Sequence, residues 1–133
     1  MRSFSPQHTF MSAISANDDG LAMHTPDYKA IELTLHSTGS YDGTVHFQAS
    51  NATTKPDFTA ARSAANPWFY TDAIALNSID ADVVGGTGLA FAGTDKIGSA
   101  YEVNLNGAHW VNIITSGRTA GSITVTGRAY NEG

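Results

Sequence analysis

Apolar and polar residues alternate with a period of two through much of the last third of the chain. Residues 101–105, 109–114 and 121–129 follow this pattern, with an Asn106-Gly107 pair after the first segment and serine and glycine residues before the last. Such alternation places successive side chains on opposite faces of a strand, and no segment shows the helical period with comparable strength. The pattern therefore predicts a β-meander.

Two more alternating segments precede this meander, at residues 30–36 and 44–50, and a loop rich in turn-forming residues separates them. We expect them to pair as a hairpin. Weaker strand signals at residues 68–76 and 89–91 bring the total to seven or eight strands. Residues 55–67 predict one or two helical turns that begin at Asp57 and stop at Pro67. The predicted fold class is all-β: a single antiparallel β-sandwich or jelly roll.

Residues 1–28 lack this regularity, because their apolar residues stand at irregular intervals among serine, asparagine, aspartate and proline. We predict an extended N-terminal arm over residues 1–28, with one short strand near residues 9–14, and a β-sandwich domain over residues 29–133. The arm has two interpretations. It is an edge strand with a frayed terminus, or it carries Phe4, Phe10 and Met11 onto a neighbouring subunit and becomes ordered there.

Composition narrows the classes of partner. The 133 residues include 13 glycines and no cysteine, 14% of them are charged, and the net charge is −5. The length suits one domain with its own core, and the few Lys and Arg residues are scattered, so neither a nucleic acid nor a membrane is expected as a partner. The first residues do not resemble a signal peptide and no apolar run is long enough to span a membrane, so we expect a protein used without export.

No motif for catalysis, a cofactor or a metal ion is found in the sequence. The five histidines are far apart, and only His36 and His46 are expected near each other, on the polar face of the predicted hairpin. Acidic pairs near residues 18 and 80 lack the ligand spacing of a calcium loop, residues 85–88 lack the lysine of a phosphate loop, and no serine lies in a nucleophile elbow. We therefore expect no catalytic residue, cofactor or metal, and a protein that is not an enzyme.

The strand around Trp110 carries large apolar residues on both faces. One face belongs to the core, so the other needs a second covering surface. That surface is a loop or the arm of the same chain, another protein or, as a third option, a sugar resting on exposed aromatic rings. The residues predicted to contact a protein partner have large apolar or imidazole side chains: Phe4, Phe10, Met11, His36, His46 and Trp110.

Several segments together resemble the small β-sandwich accessory proteins of tailed-phage virions. They are the Gly-Thr-Val-His-Phe-Gln-Ala-Ser-Asn run at residues 43–51, Trp68, residues 101–113, and the Gly-Ser-Ile-Thr-Val-Thr-Gly run at residues 121–127. In that group a Gly-Thr-Val-x-Phe strand ends in Ser-Asn, a tryptophan follows the next turn, and a Gly-Ser-(Ile/Val)-Thr-Val strand closes the domain. The resemblance covers about residues 29–129. It departs from the usual pattern after Asn51, where Ala52 follows and the tryptophan comes much later.

The resemblance implies a structural protein of the virion, above all a capsid cement or decoration protein that binds and stabilises the major capsid protein lattice. Such a protein is made in the host bacterial cytoplasm, lies on the capsid surface and forms a homo-oligomer, a dimer or a trimer. The alternatives are a head-tail connector, a tail or fibre component, and a carbohydrate-binding β-sandwich module. A small hydrolase on a jelly-roll scaffold is a further one, because fold alone does not decide function.

Overall fold

The structure, a computed structural model of the chain, describes residues 2–76 and 80–132. Every regular element in these residues is a β-strand, and all nine strands belong to one antiparallel sheet. The strands are β1 (Arg2–Phe4), β2 (His8–Ile14), β3 (Met23–His24), β4 (Ala30–Ser50), β5 (Phe69–Tyr70), β6 (Ile74–Ala75), β7 (Leu89–Ala92), β8 (Ser99–Asn104) and β9 (Trp110–Glu132). The predicted all-β class is confirmed.

Two long strands, β4 and β9, form the spine of the sheet. They are antiparallel partners along almost their whole length, from Ala30 opposite Tyr130 to Ser50 opposite Trp110. The other seven strands are short and pair along the edges of this ribbon, except β6, which pairs with β8. The architecture is therefore one two-stranded ribbon extended on both sides.

The ribbon folds back on itself into a sandwich. Tyr101 on β8 lies opposite Leu33, while Phe47 stands 14 residues further along β4. A straight strand would separate these positions by roughly 45 Å. Yet the rings of Phe47 and Tyr101 are 6.2 Å apart, and both residues are completely buried. The two halves of the ribbon must therefore stack face to face, with the core between them.

Paired bulges make the bend possible. Between Thr38 and Asp42, β4 has two residues more than β9, and between Asp42 and Thr44 the excess of two lies on β9. Gly121 has φ +80°, and a Cβ on it would come within 2.6 Å of the Thr38 carbonyl oxygen. Only glycine tolerates this approach. Because each excess is an even number of residues, the inward and outward faces of the ribbon are preserved across the bend.

The bend divides the sheet into two layers. The first layer contains β1, β2, β6, β8, residues 30–38 of β4 and residues 122–132 of β9. The second layer contains β3, β5, β7, residues 42–50 of β4 and residues 110–116 of β9. The odd-numbered apolar residues of β4 point inward in both layers, and the core residues that they contribute are Ile31, Leu33, Leu35, Val45, Phe47 and Ala49.

Three local predictions are wrong. Residues 30–36 and 44–50 do not pair with each other as a hairpin, because both belong to β4 and pair with β9. The Asn106-Gly107 turn forms, with φ values of 47° and 85°, but it leads from β8 in the first layer to β9 in the second, so there is no meander. The segment at residues 55–67 contains turns and bends without a helix.

The N-terminal residues are part of the sheet. The predicted strand near residues 9–14 is confirmed as β2, which pairs with β9, as do β1 and β3. Phe10 and Met11 are neighbours in sequence, and both are buried in the core. Two register shifts in β2, on either side of Met11, interrupt the alternation and allow both side chains to turn inward.

Candidate functional site

A large open groove lies on the outer face of the first layer. Its volume is about 920 Å³, and it is bounded by residues 26–30 and by the adjoining ends of β8 and β9. Glu102 and Asn104 line it from β8, and Tyr130 lines it from β9. We call it the Tyr130 groove.

A second groove also has Tyr130 among its lining residues, so that this residue is a wall of both. Its volume is about 490 Å³, and its lining includes Phe4, Glu32, Thr126 and Arg128. We call it the Arg128 groove. The two grooves together extend across the edge strand β1 and the central strands β9, β4 and β8.

Direct contacts hold the side chains between the grooves. The Tyr130 hydroxyl donates a hydrogen bond to the Glu102 carboxylate. The Phe4 ring lies 6.1 Å from the Tyr130 ring, and the Arg128 guanidinium carbon lies 4.6 Å from the centre of the Phe4 ring. Arg128 Nε also donates to the carbonyl oxygen of Ser5 at 3.1 Å. A cation over an aromatic ring and a hydrogen-bonded phenol restrict motion at this wall.

Two carboxylates stand side by side on this face. Glu32 is the cross-strand partner of Glu102 on one side and of Arg128 on the other. Like charges opposite each other destabilise a sheet, whereas an opposite charge stabilises it. Arg128 therefore offsets part of the repulsion that the Glu32–Glu102 pair introduces.

The outer face of the second layer carries stacked rings around Tyr70. The Tyr70 ring centre lies 5.0 Å from that of Trp68 and 4.9 Å from that of His46. The Arg62 guanidinium carbon is 5.7 Å from the Trp68 ring centre and 5.4 Å from the Tyr70 ring centre. Ile114 borders the same shallow cleft with Trp68, Tyr70 and Arg62. We call these five side chains the aromatic surface.

The loop of residues 51–68 covers the neighbouring part of this face. Trp68 Nε1 donates to the Ala60 carbonyl oxygen at 2.9 Å, and Gln48 Nε2, from β4, donates to the Phe58 carbonyl oxygen at 3.0 Å. Asp57 closes a turn in the loop by accepting from the Thr59 backbone N–H at 2.9 Å. Hydrogen bonds of Asp57 with Thr59, first that from the side-chain hydroxyl, lower the pKa of the Asp57 carboxyl.

A chain of amides lies beneath the loop. Asn112 Nδ2 donates to Gln48 Oε1 at 2.9 Å and to Asp19 Oδ1 at 2.6 Å. Gln48 and Asn112 are almost completely buried. The outward face of this part of β9 is therefore covered by the same chain, through residues 51–68 and Asp19, which is one of the alternatives open from the sequence.

Trp110 lies at the margin of this cover. It is half-buried, and its ring centre lies 4.4 Å from that of His24 on β3. The His24 ring is also 6.3 Å from that of His109. Trp110 Nε1 is buried and has no hydrogen-bond partner among the described residues. This leaves an unused donor at the start of β9.

The six predicted interface residues are dispersed. Phe4 is 48% exposed and lies at the Arg128 groove, whereas Trp110 lies at the far end of β9 in the second layer. Phe10 and Met11 are 3% and 2% exposed and belong to the core of their own chain, which corrects their assignment to a surface. Both side chains turn inward because of the bulges in β2, which cannot be recognised in the sequence pattern.

His36 and His46 are not neighbours on one face. Both are outward-facing residues of β4, but His36 lies before the bend, opposite Thr124, and His46 lies after it, opposite Ile114. Because the inner faces of the layers meet in the core, the outer faces point in opposite directions. Of the two, His46 belongs to the aromatic surface and His36 stands on the exposed face of the first layer.

Most residues of the two grooves and of the aromatic surface were not predicted from the sequence. Glu102, Tyr130 and Arg128 come from β8 and β9, and they meet because both strands flank β4 in register. In the sequence these three residues are the polar positions of alternating segments. Such a position predicts a side chain on the outer face but not which side chains lie beside it. Tyr70 lies in the weaker strand signal at residues 68–76, whereas Arg62 had no signal because the loop that places it has no regular pattern.

Within residues 2–76 and 80–132, no group of three or more His, Cys, Asp or Glu residues is placed to hold a metal ion. Over the same residues, there is no helix with the length and apolarity needed to cross a membrane.

Comparison with known proteins shows a fold and no family. No protein-family profile and no curated protein sequence matches the chain. Two solved structures share its fold. The SPBc2 prophage-derived protein YomS matches with a TM-score of 0.62 and 13% identity, over 98% of this chain and 96% of YomS. The PBSX exported protein XepA matches with a TM-score of 0.67 and 12% identity, over 98% of this chain and 38% of XepA.

The described fold is thus similar to an entire prophage-derived protein and to a part of a longer one. The present chain spans less than half of XepA. At 12–13% identity the likeness concerns the backbone architecture. It carries no information on what the side chains of this chain bind.

Proposed function

We propose that this chain is a non-enzymatic structural protein of a phage virion, a cement or decoration protein that binds and stabilises the major capsid lattice. The observation that carries the proposal is the fold shared over nearly the full length with YomS, which is prophage-derived. The resemblance of residues 29–129 to virion accessory proteins points in the same direction from the sequence. A head-tail connector or a tail component has the same physical requirements and is the alternative.

The aromatic surface supports attachment to a protein. Tryptophan, tyrosine and arginine are the residues that dominate binding energy in protein interfaces, and Trp68, Tyr70 and Arg62 stand together here. Trp68 is buried and Tyr70 is half-buried, so little conformational entropy remains to be lost when a partner covers them. The loop of residues 51–68 forms the rim.

A cement protein does not need high affinity at each site. A capsid presents the same surface many times, and a homo-oligomer, a dimer or trimer, engages several copies at once. We expect the oligomer in solution, where sedimentation velocity measures it. A monomer at all concentrations would remove avidity from the proposal.

The test uses particles of a phage that encodes the chain, prepared with and without its gene. Purified protein is added to the deficient particles and cosedimented with them. We expect saturable binding in proportion to the number of capsid subunits, with Arg62→Ala and Tyr70→Ala each weakening it about 10-fold or more. Absence of the protein from wild-type particles, or no binding to the deficient ones, would refute the virion role.

His36→Ala provides the matched control. This side chain is exposed on the opposite outer face. The substitution should leave cosedimentation unchanged if the aromatic surface is the site of attachment. Equal weakening by His36→Ala and Tyr70→Ala, with unchanged thermal unfolding, would show that the attachment surface is placed wrongly.

A further inference from the structure

We propose that the Tyr130 groove and the Arg128 groove together bind a glycan chain. This inference is independent of the virion role, because it concerns a different face of the molecule and needs no capsid. The volume of the Tyr130 groove, about 920 Å³, lies at the upper end of the range for small-ligand sites. The Arg128 groove adds about 490 Å³.

Aromatic side chains supply the apolar part of the site. Tyr28 and Tyr130 line the Tyr130 groove, and Phe4 and Tyr130 line the Arg128 groove. Tyr28 packs against the core, and Tyr130 is held by its hydrogen bond to Glu102. A sugar ring has apolar C–H faces and polar edges. A tyrosine, with its apolar body and polar tip, matches that division.

The polar groups around these rings are of mixed type. Lys29 donates only, Asp27 and Glu102 accept, and the amides of Asn104 and Asn131 can do both. Each sugar hydroxyl is at once a donor and an acceptor, so a glycan requires such a mixture. A ligand that carried only donors or only acceptors would match only some of these side chains.

The charges favour a neutral or weakly charged polymer. Asp27, Glu32 and Glu102 are opposed by Lys29 and Arg128, so the grooves have no excess of cations. A nucleic acid would require such an excess. A protein partner would prefer a centre depleted of charged side chains, and these five lie around the grooves themselves.

The geometry also indicates a chain rather than a single sugar. Tyr130 forms a wall of both grooves, so one ligand that passes over it occupies both. Across Asn104, Ala30, Tyr130 and Phe4, the site extends over four neighbouring strands, three strand spacings or roughly 14 Å. Because β8, β4 and β9 are hydrogen-bonded within the sheet, the backbone that carries these side chains is fixed before binding, and Tyr130 is also held by its hydrogen bond to Glu102.

The test begins with the full-length protein on an array of bacterial surface oligosaccharides. Hits are then measured by saturation-transfer NMR and calorimetry, with the soluble disaccharide and tetrasaccharide of the same repeat. We expect retention on at least one repeating glycan, and a tetrasaccharide affinity about 10-fold or more above that of the disaccharide. No retention on any glycan would overturn the proposal. Equal affinity for both lengths would confine the site to one groove and overturn the two-groove form.

Variants locate the site. Lys29→Ala and Glu102→Gln should each weaken tetrasaccharide binding about 10-fold, while Tyr70→Ala on the aromatic surface should leave it unchanged. Tyr130→Phe keeps the ring but removes the hydroxyl, so it separates stacking from hydrogen bonding if Tyr130→Ala does not fold. Glycan binding that survives Lys29→Ala, Glu102→Gln and Tyr130→Phe would refute this site. Since Tyr70→Ala is expected to impair only capsid attachment, failure of one proposal is distinguishable from failure of the other.

Discussion

On the outer face of the first layer, Thr34 and Thr126 lie opposite each other on neighbouring strands and are accessible to solvent. On the outer face of the second layer the corresponding pair, Gln48 and Asn112, is only 1% and 0% exposed. Both pairs join β4 to β9 and follow the same alternation. The difference comes from residues 51–68, which fold over the second layer and leave the first one open.

This difference shows how burial selects side chains on an otherwise equivalent face. A threonine on the open face can hydrogen-bond to water, so it needs no protein partner. Under the loop, each polar group must find a partner in the protein or destabilise the fold. Gln48 and Asn112 meet most of this demand by bonding to each other, to the Phe58 carbonyl and to Asp19, and of their four side-chain polar atoms only Asn112 Oδ1 has no partner among the described residues.

The strongest test of the comparison is removal of the anchor of the loop. Trp68 is 9% exposed and is hydrogen-bonded to the Ala60 carbonyl oxygen. We expect Trp68→Ala to lower the free energy of unfolding by about 3 kcal/mol or more, because a buried tryptophan is removed. Urea denaturation measures this. The neighbouring Phe69→Ala, 39% exposed in the native chain, is the control and should cost clearly less. Equal effects would mean that the cover is not part of the cooperative fold.

A smaller loss is expected from the amides beneath the loop. Asn112→Ala removes the amide that donates to Gln48 Oε1 and to Asp19 Oδ1, so that both acceptors lose this hydrogen bond. We expect a cost of about 1–3 kcal/mol in the free energy of unfolding. Thermal and urea unfolding should agree. A neutral result would imply that water enters beneath the loop and that the second face is less dry than its burial indicates.

A pH-dependent effect is expected at the bend that joins the two faces. Asp95 Oδ1 accepts from the Tyr41 backbone N–H at 3.0 Å, and Oδ2 accepts from that of Ser40 at 3.1 Å. These bonds, first that from Tyr41, lower the pKa of the Asp95 carboxyl from 3.8. The stabilisation is therefore present above about pH 4 and is lost as the pH falls through the lowered value. Asp95→Asn should be less stable than the native chain at pH 7, with the difference shrinking in acid. A constant difference from pH 7 to pH 2 would contradict this.

The smallest effects belong to the open face. Thr34→Ala and Thr126→Ala remove side chains without changing a buried contact, and each should alter the free energy of unfolding by less than about 0.5 kcal/mol. Chemical denaturation of the two single variants checks this. A loss comparable to that of Asn112→Ala would contradict this expectation. It would indicate that a second copy of the chain covers the first face.

The alternation of β4, β8 and β9 was sufficient to predict an all-β sandwich, because period-two burial is a local property of each strand. The bend was not predictable in the same way. Gly39, Ser40 and Gly43 have the composition of a hairpin turn, but here they accommodate a bulge within one strand. What separates the two outcomes is the partner strand β9, which lies far away in the sequence.

The same limit applies to the candidate sites. Phe4, His36, His46 and Trp110 are at least partly accessible to solvent, and their contact with a partner stays a prediction, whereas Phe10 and Met11 are buried because bulges in β2 break the period. The Tyr130 groove escaped prediction because its walls come from β8 and β9, which do not pair with each other but lie on either side of β4. Only their register brings Glu102 and Tyr130 together.

The central position of β9 in the sheet affects when the chain can fold during its synthesis. This strand, Trp110–Glu132, pairs directly with β1, β2, β3 and β4. Until the ribosome has released it, the apolar residues of β4 have no long partner, and most contacts of the core cannot form. Folding that depends on such distant pairing is slow, and its unpaired strands are prone to aggregation. We therefore expect the core to form only after β9 has been synthesised, so that β4 lacks its long partner until then.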